Sequence, residues 1–166
     1  MRLFIAIRLS DGIRDSLSAI QMELRNHGVR GNYTRVENLH LTLAFIGEYS
    51  DPAFVLEVMR SVPFEPFPLR IEGFGSFGSL YWCGIAENAA LLSYVKRLRK
   101  ALAENGVPFD RKKFSPHITL IRTAEYDRRA GFPGVTVPDI SMRAAGASLM
   151  RSERTKSGMV YTEVGP

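Results

Sequence analysis

The chain has 166 residues and a mass of 18.6 kDa, about the length of one domain, with 45% hydrophobic and 23% charged residues. These values exclude a disordered chain, whose apolar content could not offset the entropy of ordering. A net charge of +5 and a pI of about 9.6 favour an anionic partner, either nucleic acid or a phosphorylated small molecule, although many soluble proteins are equally basic.

The opening segment and the cysteine content indicate a cytoplasmic protein. The apolar run at residues 3–7 is too short for a membrane helix, and no small-residue cleavage site follows it. The single cysteine, Cys83, cannot close an intrachain disulfide or build a thiolate zinc site. We therefore expect a cytoplasmic protein with no membrane association.

The first half of the chain predicts a strand, a helix, a strand and a second helix. Residues 3–9 form an apolar strand, and a helix follows with Ser10 or Asp11 as its cap and its end near Gly28. A strand at residues 39–46 stops at Gly47. Asp51-Pro52 then begins a helix that reaches about residue 62.

The second half predicts strands near residues 69–72 and 80–86, a helix from the cap Asn88 to Gly106, a strand at 117–121, and final strands at 144–151 and 159–164. The stretch from Gly73 to Gly78 formally matches a dinucleotide-binding fingerprint. An aromatic strand follows it instead of the helix that the fingerprint requires, so we expect a glycine-rich connection between strands.

The two halves repeat the same order of elements. The first strand begins at Leu3 and a later strand begins at Leu80, with the same offset that separates His40 from His117. The glycines that end the two helices, Gly28 and Gly106, have nearly the same separation. This spacing indicates an internal duplication, and we expect duplicated units to pack about a pseudo-twofold axis with equivalent strands facing a shared cleft.

Two of the three histidines lie in matching tetrapeptides, His40-Leu41-Thr42-Leu43 and His117-Ile118-Thr119-Leu120. Because side chains alternate along a strand, each histidine shares a face with the threonine two residues later, while the apolar residues face the core. Each half therefore presents an imidazole beside a hydroxyl. The third histidine, His27, lies in the last turn of the first helix and is expected to be structural.

Two imidazoles that face one cleft can divide acid–base work, because one takes a proton from a nucleophile while the other gives a proton to a leaving oxygen. The hydroxyls of Thr42 and Thr119 can bond the oxygens of a tetrahedral phosphate between them. Arg122 stands where the first half has Phe45, and its guanidinium can bind phosphate. Strict alternation places Arg122 with Leu120, so the strand must twist, bulge or end for Arg122 to reach the cleft.

These motifs resemble the two-histidine (2H) phosphoesterase superfamily, and within it the bacterial and archaeal RNA 2′,3′-cyclic phosphodiesterases, a LigT-like family also called 2′-5′ RNA ligases. The resemblance includes the opening Met1-Arg2-Leu3-Phe4-Ile5-Ala6-Ile7, residues 37–43 with Phe45 and Gly47-Glu48, and residues 116–120 with Arg122. It implies an α+β fold in which residues 1–166 form a single two-lobed domain, with two antiparallel sheets around a central cleft and helices outside.

The resemblance also implies that the reaction is the opening of a 2′,3′-cyclic phosphate at an RNA end to a 2′-phosphate, without metal or cofactor, and with 2′-5′ joining of ends as a further activity. By analogy, His117 activates water and His40 protonates the departing 3′ oxygen. The phosphate is held by Thr42, Thr119 and Arg122. The expected partner is RNA, including tRNA fragments, or a nucleoside cyclic phosphate, and we expect a cytoplasmic monomer.

Other interpretations remain open at this point. The histidine–threonine pairs could be satisfied core residues or, less readily without further Cys or His ligands, a metal site. The chain could also be an RNA-binding module without useful catalysis, or a phosphodiesterase for a small cyclic nucleotide. Basic clusters that could contact RNA lie at residues 96–100, 111–113 and 151–156, and aromatic residues that could stack on a base are Phe4, Phe45, Phe77, Tyr81 and Trp82.

Overall fold

The computed structural model describes residues 1–127, 129 and 131–165, and within these ranges it contains three α-helices and nine β-strands. None of these helices is long and apolar enough to cross a membrane. In chain order the elements are β1 (Arg2–Arg8), α1 (Asp11–Asn26), β2 (Arg30–Tyr33), β3 (His40–Glu48), α2 (Pro52–Arg60), β4 (Phe67–Phe77), β5 (Leu80–Ile85), α3 (Ala89–Glu104), β6 (His117–Glu125), β7 (Ser141–Ala144), β8 (Ser148–Thr155) and β9 (Gly158–Glu163).

The strands form two antiparallel sheets, and each sheet contains strands from both halves of the chain. The first sheet has the order β3-β1-β8-β9, and the second has the order β2-β6-β5-β4-β7. Helix α1 contacts β6 of the second sheet, and helix α3 contacts β3 of the first. The predicted α+β fold with two antiparallel sheets and outer helices is confirmed.

The predicted duplication is visible in matching elements. Helices α1 and α3 are both 16 residues long, and their caps, Ser10 and Asn88, have the same separation as the glycines Gly28 and Gly106. Each cap side chain accepts a hydrogen bond from the backbone N–H three residues later. Strands β3 and β6 are both nine residues long and begin at the two motif histidines. Each of them pairs antiparallel with the strand that precedes its half's helix, β1 or β5.

Two features of the sheets differ from the sequence prediction. Strand β2 is absent from that prediction, because its residues, Arg-Gly-Asn-Tyr, show no apolar alternation; it forms because its backbone pairs with β6 at the edge of the second sheet. Residues 144–151, predicted as one strand, are divided between β7 and β8. Strand β7 pairs with β4 and β8 pairs with β1, so the chain crosses from one sheet to the other at residues 145–147.

The glycine-rich stretch from Gly73 to Gly78 is mostly strand, and the prediction of a connection there was wrong. Its residues up to Phe77 belong to β4, which pairs with β5. A Cβ at Gly75 would lie 2.5 Å from the ring of Trp82, so glycine allows the indole to lie against the neighbouring strand. The turn is confined to Gly78, whose φ is +60°, and Ser79.

Candidate active site

The two histidine strands carry matching β-bulges. In the ladder between β1 and β3, Leu43 is an extra residue without an opposite partner, and in the ladder between β5 and β6 the extra residue is Leu120. These two residues have the same offset as the motif histidines. A bulge shifts the alternation of side chains by one position. The side chain two residues after the bulge residue therefore lies on the face opposite to the one that strict alternation gives. Phe45 and Arg122 therefore lie on the same face of their strands as the histidine and threonine before them.

A cleft of about 500 Å³ lies where β3 and β6 contact each other. Its walls include His40, Thr42 and Phe45 from β3 and Arg122 from β6. Strict alternation would keep Arg122 away from the cleft, and the bulge in β6 is what allows its side chain to reach it.

His40 is held by hydrogen bonds at both ring nitrogens. Its Nδ1 lies 2.6 Å from the carbonyl oxygen of Asn38, and its Nε2 lies 2.7 Å from Oγ1 of Thr42. Because a carbonyl only accepts, Nδ1 carries the proton in the neutral ring, and the lone pair on Nε2 faces the threonine hydroxyl. The rings of Phe4 and Tyr161 flank the imidazole, with centroids 4.8 and 5.3 Å away.

The surroundings of His40 favour its neutral form. Burial lowers the pKa of His40 below its ordinary value, and the hydrogen bond to Asn38 opposes this effect. The positive charges of Arg122 and His117 lower the pKa further. Arg122 lines the same cleft as His40.

His117 repeats the backbone contact of His40 in a more open place. Its Nδ1 lies 2.7 Å from the carbonyl oxygen of Ser115, two residues earlier, as Asn38 is for His40. The ring of Phe77 meets the imidazole edge-on at 5.1 Å, and Trp82 lies 6.5 Å away between centroids. Both motif histidines thus direct Nδ1 to the backbone and leave Nε2 as the unprotonated nitrogen of the neutral ring.

Three of the five predicted site residues line the cleft. His40, Thr42 and Arg122 line the 500 Å³ volume itself, whereas His117 and Thr119 do not. They precede Arg122 on the same strand, and both are partly buried. His117 and Thr119 therefore share β6 with Arg122 but lie outside the lining of the cleft.

The cleft is lined by cationic and aromatic side chains. Its four arginines are Arg2, Arg35, Arg122 and Arg154, and no carboxylate is among the described residues that line it. The aromatic lining is formed by Phe4, Tyr33, Phe45 and Tyr161. This composition suits an anionic ligand that carries a stacked ring.

Sequence reasoning missed several lining residues. Tyr161 packs against His40 from β9, Asn32 lies in β2, and Arg35 lies in the segment that joins β2 to β3. None of these residues lies in a motif. They reach the site through strand pairing with distant parts of the chain. Arg154 alone among them could be expected from the sequence, because it lies in the basic cluster at residues 151–156.

Other candidates lie elsewhere. Tyr81 is buried in the core with 4% exposure, so it cannot stack on a ligand. In the 96–100 cluster, Arg99 and Arg97 donate to backbone carbonyls and Lys100 lies 3.8 Å from Glu104; none of them lines the cleft. Among the described residues no three His, Cys, Asp or Glu side chains are grouped so that they could hold a metal ion.

The model for LigT-like phosphoesterases matches residues 7–81 and 84–161 of this chain. The chain belongs to the LigT-like phosphoesterase family. The two matched segments of this LigT-like protein begin with the same offset as the two histidine motifs. It is 32% identical to the RNA 2′,3′-cyclic phosphodiesterase of Methanothermobacter thermautotrophicus over 99% of this chain and 96% of the relative. With the enzyme of the same name from Thermotoga maritima, it shares 28% identity over 97% and 91% of the two chains.

Solved LigT structures share the fold of this family member. The apo form of Escherichia coli LigT superposes with a TM-score of 0.81 and 27% identity, covering 99% of this chain and 94% of that one. The complex of the same protein with 3′-AMP gives a TM-score of 0.80 with 27% identity, over 99% and 95% of the chains. The LigT-like architecture therefore extends over nearly the whole chain.

Proposed function

We propose that this chain is an RNA 2′,3′-cyclic phosphodiesterase that opens the cyclic phosphate to a 2′-phosphate without a metal ion. The observation that carries the proposal is the placement of His40, Thr42 and Arg122 at one arginine-lined cleft, with His117 in the strand that carries Arg122. The names of the relatives from two organisms support the activity. The relative solved with 3′-AMP supports a nucleotide in a site of this fold.

In the proposed reaction, a neutral imidazole takes a proton from water, and the hydroxide oxygen bonds to phosphorus. The bond between phosphorus and the 3′ oxygen then breaks as an imidazolium donates its proton to that oxygen. We assign the first role to His117 and the second to His40. Thr42, Thr119 and Arg122 hold the non-bridging oxygens, where the guanidinium offsets the developing negative charge.

The assignment of His40 as the acid depends on the substrate. Its pKa is lowered in the free protein, so its neutral form is favoured. An anionic phosphate beside the ring stabilises the imidazolium and raises the pKa again. His40 therefore takes up, as substrate binds, the proton that it gives to the 3′ oxygen.

The proposal is tested by incubating the protein with EDTA and a nucleoside 2′,3′-cyclic phosphate and identifying the isomer produced. We expect the nucleoside 2′-monophosphate. A 3′-monophosphate product, or turnover that EDTA abolishes, would contradict the proposal. Comparison with a cyclic-phosphate-ended RNA and with ADP-ribose cyclic phosphate identifies the preferred substrate class.

Substitution of each motif histidine tests the acid–base pair. His40→Ala and His117→Ala should each lower kcat by about 10² to 10⁴-fold, the usual contribution of a general acid or base. The matched control is His27→Ala, because His27 is exposed at the end of α1, away from the cleft. Wild-type turnover by either motif variant would refute the proposed mechanism.

We also propose that residues 1–166 act as one two-lobed domain and that the protein is a cytoplasmic monomer. The mixing of strands from both halves in each sheet supports a single domain. The only cysteine, Cys83, is buried, and burial raises the pKa of its thiol to about 12. The proposed substrates include tRNA fragments, and 2′-5′ joining of RNA ends is the proposed second activity; sedimentation and ligation assays test these points.

A further inference from the structure

Two helix side chains bond the bulges of the histidine strands. Gln21 in α1 donates from Nε2 to the carbonyl oxygen of Leu120, the bulge residue of β6, over 3.0 Å. Arg99 in α3 donates from Nε and Nη2 to the carbonyl oxygen of Leu43, the bulge residue of β3, over 3.2 and 3.0 Å. Helix and strand come from different halves in both cases, so each contact joins the two halves.

Each of these side chains also bonds a second carbonyl, and the second partners match too. Gln21 donates to the carbonyl oxygen of Thr34 over 2.8 Å, and Nη1 of Arg99 donates to that of Lys112 over 2.7 Å. The offset from Gln21 to Arg99 equals the offset from Thr34 to Lys112. The duplication therefore repeats a complete arrangement, which we call the bulge clamps: Gln21 with Thr34 and Leu120, and Arg99 with Lys112 and Leu43.

The surroundings of the two side chains show that these contacts are built into the fold. Gln21 is 3% exposed, so its amide is enclosed by protein. Arg99 lies near the rings of Phe109 and Phe114, 5.7 and 5.5 Å from their centroids, and burial lowers its pKa. Burying an amide or a guanidinium is unfavourable unless its donors are satisfied. The hydrogen bonds to backbone carbonyl oxygens satisfy these donors of Gln21 and Arg99.

The clamped carbonyls are next to the site. Leu43 directly follows Thr42, and Leu120 directly follows Thr119. The same bulges turn Phe45 and Arg122 towards the cleft. A clamp that holds a bulge therefore holds the residues on both sides of it.

We propose that Gln21 and Arg99 are positioning residues that fix the two histidine strands relative to each other and keep Arg122 aimed into the cleft. The kinetic test of this role rests on the proposed phosphodiesterase function. A misplacement of about 1 Å can reduce a rate by about 10²-fold, so small movements of a clamped strand are sufficient.

The kinetic test uses Gln21→Met and Arg99→Met, which keep the length of the side chain and remove its donors. We expect kcat with a nucleoside 2′,3′-cyclic phosphate to fall about 10- to 100-fold, with KM changed less than about threefold. Arg97→Met is the matched control, because Arg97 lies in the same helix and donates to the carbonyl oxygen of Pro63 over 2.9 Å, away from the histidine strands. It should retain wild-type kcat.

Arg99→Gln separates hydrogen bonding from bulk and charge. The variant has in α3 a glutamine like Gln21 of α1, whose amide can still donate to backbone carbonyl oxygens. It should therefore retain clearly more activity than Arg99→Met. Equal losses in the two variants would contradict a role through the carbonyl bonds. Because Gln21 is buried, the Arg99 variants carry the test if Gln21→Met does not fold.

A second readout does not depend on turnover. NMR titration of Gln21→Met, which replaces one neutral residue by another, should show the pKa of His40 shifted upward as His40 separates from the positive charge of Arg122. If the wild-type protein opens no cyclic phosphate, the proposed function fails while this titration still tests the clamps. Folded clamp variants with kcat within about twofold of wild type and an unchanged His40 titration would overturn the inference.

Discussion

At the scale of single residues, the two motif histidines share one contact and differ in their enclosure. Each Nδ1 bonds the carbonyl oxygen two residues earlier, which fixes the ring, and Nε2 of His40 faces the hydroxyl of Thr42. His40 lies between Phe4 and Tyr161, whereas His117 lies beside Phe77, whose ring is 49% exposed. Different surroundings for two like groups are what a division into acid and base requires.

The lowered pKa of His40 predicts a loss of stability on acidification. In the unfolded chain, His40 binds a proton near its ordinary pKa of about 6.5, whereas in the folded protein it stays neutral to lower pH. The unfolded state therefore binds more protons in this interval. The free energy of unfolding should be highest above about pH 6.5 and should fall as the pH decreases towards the folded-state pKa.

Urea denaturation between about pH 7.5 and pH 5 measures this effect, since the carboxylates titrate mainly at lower pH. His40→Gln should flatten the pH dependence of the free energy of unfolding. The matched control is the same substitution at an exposed histidine, His27→Gln. An equal slope in wild type and His40→Gln would show that His40 does not cause it.

At the scale of elements, local signals predict the helices but not the bulges. Ser10 and Asn88 cap α1 and α3 as expected, because a cap depends on the next three residues. Leu43 and Leu120 are ordinary apolar strand residues, and nothing around them indicates an extra residue. Their bulges are held by side chains of distant helices, so simple alternation places Arg122 on the wrong face.

The cleft lining shows the same limit. The histidine–threonine pairs could be found because both members lie in one strand, with a spacing that alternation explains. Arg2 meets His40 and Thr42 only through the pairing of β1 with β3, and Tyr161 only through the pairing of β1 with β8 and of β8 with β9. Such neighbours depend on the order of strands in the sheet, which the sequence of one strand does not contain.

The contact between β4 and β5 gives a prediction at this scale. Gly84 lies opposite His117, and a Cβ there would approach the carbonyl oxygen of Glu72 to 2.5 Å. Because that atom belongs to a paired strand, Gly84→Ala should lower the free energy of unfolding by about 1–3 kcal/mol. Gly146→Ala, where nothing lies within 4 Å of the added carbon, is the control. Equal stabilities in urea denaturation would contradict this packing.

At the scale of the whole molecule, part of the positive charge behind the net +5 is concentrated in the cleft. Four arginines line the cleft, so part of the excess positive charge surrounds the proposed phosphate site. One phosphate at the histidines does not need all four. The others can contact further phosphates of a polynucleotide.

This arrangement predicts different salt dependences for two substrates. KM for a cyclic-phosphate-ended RNA should rise steeply with salt, and Arg154→Gln should reduce the slope of log KM against log salt by about 0.7 to 1, as for one lost phosphate contact. KM for a nucleoside cyclic phosphate should change little. Arg60→Gln, at an exposed position outside the cleft, should alter neither slope. Identical slopes for wild type and Arg154→Gln would place Arg154 outside the RNA path.

The mixed composition of the first sheet also has a consequence for synthesis of the protein. Strand β1 leaves the ribosome early, but it pairs with β8, whose residues 148–155 are made near the end of the described chain. Until then β1 has an open edge, and His40 lacks Tyr161. Nascent chains that have not yet reached β9 thus carry both histidine motifs without a finished cleft. Formation of the β8–β9 hairpin is the step that completes the cleft.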